Sequence, residues 1–114
     1  MEMETNLLKQ KLNTAFDEVV ELAKKNDPMF VARFSEVYPD FWIKLLDKYP
    51  SLTPAEQQLC ALTYLNFSTK QIAEFSHVQV RSVQTRRSRL RKSINIDRAT
   101  DLRDHLIGIE KNSQ

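Results

Sequence analysis

The sequence is poor in the residues that make tight turns and covalent cross-links. Of its 114 residues, one is glycine, four are proline and one is cysteine. So little glycine and proline argues against an all-β fold, which needs many tight turns. The single cysteine, Cys60, cannot form an internal disulfide, which is typical of proteins in the reducing cytoplasm. We therefore expect an all-α fold and a cytoplasmic location.

Long apolar runs and recognisable catalytic motifs are also missing. No apolar run approaches the roughly 20 residues that span a bilayer, and the acidic, then amphipathic start "MEMETNLLKQ" does not resemble a signal peptide. His77 and His105 are far apart in the sequence, and neither has another histidine or a cysteine four residues away, as a helical zinc site would need. No Ser/His/Asp arrangement or Gly-rich phosphate loop is visible. We expect no membrane association, no metal or cofactor, and no enzymatic activity.

Positive charge is concentrated in one short segment. "RSVQTRRSRLRKSI", residues 81–94, contains six Lys/Arg and no acid, in a chain whose net charge is +2. The remaining residues contain eleven basic and all fifteen acidic side chains, so their net charge is −4. This separation predicts a localised anionic partner.

Several helix starts can be recognised along the chain. "TPAE" (53–56) and "STKQ" (68–71) have the spacing of capping boxes. "NDP" (26–28) predicts another start, with the aspartate as N-cap and the proline as the first helical residue. Asp97 or Thr100 is expected to cap the last helix. In total, the patterns predict six or seven helices and no strand.

The basic segment itself has the pattern of an amphipathic helix. On a helical wheel, Val80, Val83, Leu90 and Ile94 fall on one face, which we expect to pack in the core. Arg87 falls among them and can lie along this face by its aliphatic stem. The opposite face is a polar stripe with two flanking residues: Arg81, Thr85, Ser88 and Lys92, flanked by Gln84 and Arg89.

A short helix, a turn and an amphipathic basic helix form a helix-turn-helix, whose second helix lies in the DNA major groove. The small side chains of Thr85 and Ser88 permit close approach to base edges, and Gln84 can bond adenine. Arg81, Arg86, Arg89 and Lys92 are expected to contact phosphates, or a guanine if one of them points inward. A basic helix can also be no more than a solvated surface.

Three segments resemble the LuxR-type (GerE-type) helix-turn-helix family: "LTPAEQQLCAL" (52–62), "STKQIAEF" (68–75) and "VRSVQTRRSRLRKSI" (80–94). The resemblance implies a four-helix DNA-binding domain of a small bacterial transcription regulator, with a recognition helix at about 80–93. It also implies phosphate contacts by Lys70 and Arg89. The stretch "FSEVYPDFWIKLLDKYPSLTP" (34–54) looks like the segment that joins tetratricopeptide regions to this domain in one bacterial subfamily.

On this basis, we divide the chain into a helical N-terminal extension or linker (1–50), a DNA-binding domain (51–109) and a polar tail (110–114). The extension contains an apolar stripe with coiled-coil spacing, which either pairs with its copy or packs on the chain's own second and third helices. The stripe consists of Leu8, Leu12, Ala15, Val19 and Leu22. The resemblance implies a homodimer to which the last helix, with Leu102 and Leu106, also contributes.

Two classes of function fit these observations. The first is sequence-specific binding of double-stranded DNA by a homodimeric regulator. The second is a helical adaptor that uses the helix-turn-helix surface to bind another regulator or RNA polymerase. A docking surface of the second kind should expose apolar residues, whereas the outer stripe is made of Arg, Thr, Ser and Lys.

Overall fold

The computed structural model describes residues 14–111, which form seven helices and no strand. This confirms the all-α fold class. The helices are α1 (14–24), α2 (Phe30–Val37), α3 (Pro39–Lys48), α4 (Pro54–Tyr64), α5 (Thr69–Ser76), α6 (Val80–Ser93) and α7 (Leu102–Lys111). Within the described range, no helix has both the length and the apolar character needed to cross a membrane.

Both capping boxes form as the sequence predicts. At the start of α4, Thr53 Oγ1 accepts from the backbone N–H of Glu56 at 3.1 Å, and Glu56 Oε1 accepts from the Thr53 N–H at 3.0 Å. Ser68 and Gln71 make the same reciprocal pair at the start of α5, at 3.1 and 2.9 Å. Each box satisfies two backbone donors near a helix start.

The predicted start of α2 was wrong by two residues. Helix α2 begins at Phe30, and the residue at its N-cap is Met29. Asp27 Oδ1 accepts from the Met29 N–H at 2.8 Å, so the carboxylate closes a turn that precedes the helix. Pro28 lies in that turn and not in the first helical position.

The predicted caps of α7 were also wrong. Asp97 Oδ1 accepts from the Thr100 N–H at 3.0 Å and from the Thr100 hydroxyl at 3.1 Å, so these two residues stabilise a turn before the helix. Asp101 directly precedes α7, and its Oδ1 accepts from the Asp104 N–H at 2.9 Å. Asp101 therefore makes the side-chain cap.

Four helices end on a left-handed residue that is not glycine. After α5, the N–H of His77 bonds to Glu74 O at 3.3 Å and the N–H of Val78 bonds to Ala73 O at 3.0 Å, which is the Schellman arrangement. The left-handed residues, with φ between 53° and 70°, are Asn26, Asn66, His77 and Asn95. Asn and His enter this region more readily than most residues, so the fold needs little glycine.

One core joins residues on both sides of residue 50. Phe34 of α2 is completely buried, and its ring centre lies 6.0 Å from that of Phe41 and 5.7 Å from that of Tyr64 of α4. Phe41 stacks on Tyr64 at 4.2 Å. The Tyr64 hydroxyl donates to Glu110 Oε2 of α7 at 2.7 Å. Helices α2 and α3 therefore share their core with α4 and α7, and the proposed boundary at residue 50 is not a break in packing.

Three of the seven residues assigned to dimerisation lie inside this core. Val19, Leu102 and Leu106 are 0%, 4% and 0% exposed. Leu22 packs against the core and Ala15 is half-buried, whereas the remaining two residues of the stripe, Leu8 and Leu12, lie outside the described residues. This corrects the assignment of Val19, Leu102 and Leu106, because side chains enclosed within the chain are not accessible to a second copy. The homodimer itself stays a prediction, and it has to use other residues.

Candidate nucleic-acid interface

Helix α6 packs on α4 and α5 through its apolar face. Val83, Leu90 and Ile94 are 0%, 0% and 3% exposed, as the helical wheel predicts. Val80 is different: it is the first residue of the helix and 41% of it is exposed, so its expected place in the core was wrong. Gln79, at the N-cap, makes no side-chain capping bond. The buried face of α6 therefore packs in the core from Val83 to Ile94.

Two of the six cations of the basic segment point into the protein. Arg87 Nη1 donates to Thr69 Oγ1 at 2.8 Å, and its Nη2 donates to Phe67 O at 3.3 Å. Burial is the main cause that lowers the pKa of Arg87, followed by the positive charge of Arg91. Arg91 Nη1 donates to two backbone carbonyls between α6 and α7, at 2.9 and 2.6 Å. Both arginines therefore hold α6 to neighbouring segments.

A third contact secures the end of α6. The Ser93 hydroxyl donates to Glu56 Oε2 at 2.6 Å, while Glu56 Oε1 takes part in the capping box of α4. The bond from Ser93 is the largest cause that lowers the pKa of the Glu56 carboxyl, ahead of the bond from the Thr53 backbone. One carboxylate thereby joins the start of α4 to the last turn of the basic helix.

The other four cations of the segment point outward. Among the described residues, the side chains of these four cations form no hydrogen bond. They form no ion pair there either, since the ion pairs of the described chain involve only Lys24 and Arg33. They are Arg81, Arg86, Arg89 and Lys92, all exposed. Lys70, in the first turn of α5, is exposed as well. These are the five cations that the sequence assigns to phosphate contacts.

Small and polar residues separate the outward cations. Thr85 and Gln84 are exposed, and Ser88 is half-buried. The Thr85 hydroxyl donates to Arg81 O one turn earlier, at 3.0 Å. This bond uses the only hydroxyl proton, so Thr85 can present an acceptor oxygen and a methyl group to a ligand. The centre of the outer face is therefore free of long side chains, as the spacing predicts.

Arg86 and Arg89 lie on the flank of α6 that faces α4. Together they line a groove whose other residues come from the start of α4 and the end of α6: Thr53, Ala55, Glu56, Leu59 and Ser93. Although Glu56 lines the same groove, its carboxylate bonds Ser93 and Thr53 and forms no ion pair within 4.0 Å with either arginine. The two arginines of this flank therefore have no ion-pair partner among the described residues.

Sequence reasoning missed two of the contacts that hold the basic helix. Arg91 follows Arg87 by four residues, so both lie on one flank of α6, and this spacing was a usable signal. The bond between Ser93 and Glu56 joins residues 37 positions apart, and no local pattern indicates it. The first contact could have been inferred, whereas the second required the tertiary structure.

Across the part of the chain that the structure describes, there is no cluster of three or more His, Cys, Asp or Glu side chains able to hold a metal ion. Burial raises the pKa of the Cys60 thiol to about 12, which disfavours its reactive thiolate.

The chain matches no family model, no curated protein and no solved structure at a significant level.

Proposed function

We propose that this protein binds double-stranded DNA with the outer face of α6 in the major groove, as a non-enzymatic transcription regulator. The observation that carries the proposal is the division of α6 into two faces. Its inner face is held by buried side chains and by the contacts of Arg87, Arg91 and Ser93. Its outer face carries unpaired cations around short polar side chains, and the described helices leave it exposed.

The chemistry of the outer face matches the two kinds of contact that DNA recognition needs. Long cationic side chains reach phosphates, which fix the position of the helix on the duplex. Short side chains at the centre allow the helix to approach base edges, where Gln84 can form the paired bonds that select adenine. The resemblance to LuxR-type domains supports the same orientation of the helix.

The test is a gel-shift assay with a duplex obtained by in-vitro selection, in rising salt. We expect saturable binding that weakens with salt, because phosphate contacts release counterions. Thr85→Glu and Arg89→Glu should each abolish the shift while the far-UV circular dichroism stays unchanged. The matched control is Lys111→Glu, which makes the same charge change as Arg89→Glu at an exposed position on α7.

Intact binding by both α6 variants would show that this face does not contact DNA. Selection without enrichment of any sequence, together with retention of RNA polymerase or another regulator by the same face, would favour the adaptor instead. An enriched inverted repeat would support the predicted homodimer, because a two-fold protein reads a two-fold site.

A further inference from the structure

Arg87 is an unusual residue to find half-buried at the junction of three segments. Its guanidinium lies between α6, the loop that follows α4 and the first residue of α5. No carboxylate lies within 4.0 Å of it among the described residues, and its Nε atom is buried without a hydrogen-bond partner. The negative charge of Asp101, which makes no ion pair with Arg87, offsets the effect of burial only in part, since the pKa of Arg87 is lowered. A half-buried cation with no acid in contact costs desolvation free energy that an aliphatic side chain at this position would avoid.

We propose that Arg87 is a positioning residue that sets the rotation of α6 against α5 and thereby determines base selectivity, without itself contacting DNA. The proposal rests on the DNA-binding function proposed above. The forked guanidinium suits Arg87 to this role, because two of its nitrogens bond different acceptors, Thr69 Oγ1 at 2.8 Å and Phe67 O at 3.3 Å. Two bonds from one rigid plane restrict rotation, which a single bond does not.

The consequence for DNA differs between the two kinds of contact. Thr85 and Ser88 are short, so a small rotation of α6 moves them away from the base edges they would read. Arg81 and Lys92 have long, flexible side chains that can still reach phosphates after such a rotation. Loss of the two hydrogen bonds of the Arg87 guanidinium should therefore reduce the preference for one DNA sequence over another, while the number of phosphate contacts changes less.

Three variants separate the fork from the charge. Thr69→Val removes one acceptor and changes no charge. Arg87→Lys keeps the charge but cannot reproduce the planar fork, whereas Arg87→Gln removes both. Arg89→Gln is the matched control, since it removes the same charge from the outer face of the same helix.

The measurement is the ratio of affinities for two duplexes, one with the selected site and one with a scrambled site of equal composition, each titrated over a range of salt. We expect Thr69→Val, Arg87→Lys and Arg87→Gln to lower the ratio about tenfold, the effect of one lost hydrogen bond to a charged group. All three should keep the salt slope of the natural chain. Arg89→Gln should reduce the magnitude of that slope by about 0.9.

An unchanged ratio in Thr69→Val and Arg87→Lys, with circular dichroism that shows both folded, would overturn the positioning role and leave DNA binding intact. A reduced salt slope in Arg87→Gln would also overturn it, because Arg87 would then contact a phosphate. If the natural chain binds neither duplex, the proposed function fails and this inference fails with it.

Discussion

Replacing Arg89 with glutamine should remove one phosphate contact from a countable set. The structure leaves five exposed cations at the candidate interface, four on α6 and Lys70 on α5. Each neutralised phosphate contributes about −0.9 to the slope of log affinity against log salt, so five contacts predict a slope of about −4.5. Affinity should then fall about 500-fold between 50 and 200 mM salt.

The variant should have four such contacts and a slope of about −3.6, which corresponds to a fall of about 150-fold over the same range. Fluorescence anisotropy with a labelled duplex measures both slopes. The control is Arg91→Gln, which removes an equal charge from the same helix. Arg91 is half-buried and its guanidinium donates to Asp97 O and Thr100 O, so its loss should not change the slope.

Two results would refute this reasoning. If both variants lower the slope equally, the slope reports the total charge of α6 and the division into inward and outward arginines has no effect on binding. If neither variant lowers it, Arg89 does not reach a phosphate, and the face of α6 that meets DNA is not the one proposed.

Two further predictions concern stability. His77→Gly should raise the free energy of unfolding by about 0.5–1 kcal/mol, because glycine adopts the left-handed backbone of this helix end without strain. The melting temperature should then rise by about 2–4 °C. A lower melting temperature would contradict this account of the turn. The His105 imidazole lies with its Nε2 2.8 Å from the Tyr49 hydroxyl. Its pKa is lowered, first by burial and then by the positive charge of Lys48. The His105 side chain therefore binds a proton more readily in the unfolded chain than in the folded one. This contribution to stability is complete above a pH of about 6.5 and is lost as the pH falls through the lowered pKa. Melting curves between pH 7.5 and 5.5 should show the loss in the natural chain and a smaller loss in His105→Gln, and equal losses in both would show that His105 is not its source.

The features that the sequence predicted well are those that depend on neighbouring residues. Each capping box is a bond between residues three apart, so the spacing in "TPAE" and "STKQ" is sufficient to place the starts of α4 and α5. The misplaced caps show the limit of the same logic. Asp27 and Asp97 do accept backbone N–H bonds, but aspartate closes an isolated turn as well as a helix start, and the local pattern does not distinguish the two.

The apolar stripe of the N-terminal extension shows why partners are harder to predict than helices. Its spacing predicts a helix with a buried side, and α1 has one, through Val19 and Ala23. The same spacing serves a helix that pairs with a copy and a helix that packs on its own chain, because both partners offer an apolar surface. The shared core of α2, α3, α4 and α7 is tertiary information, and the stripe does not contain it.

The basic segment shows the same limit in its charge. Its six cations predicted a localised anionic partner, and the helical wheel set only Arg87 on the inner face, whereas the structure gives the six cations two roles. Arg87 and Arg91 bond to protein oxygens and orient the helix, whereas the remaining four are free for a ligand. None of the six forms an ion pair in the described chain, so all six contribute to the field that attracts DNA from a distance. Only the four cations that point outward can contact a phosphate and release a counterion from the DNA. Charge counted from the sequence therefore describes the attraction to DNA, and the number of contacts has to be read from the structure.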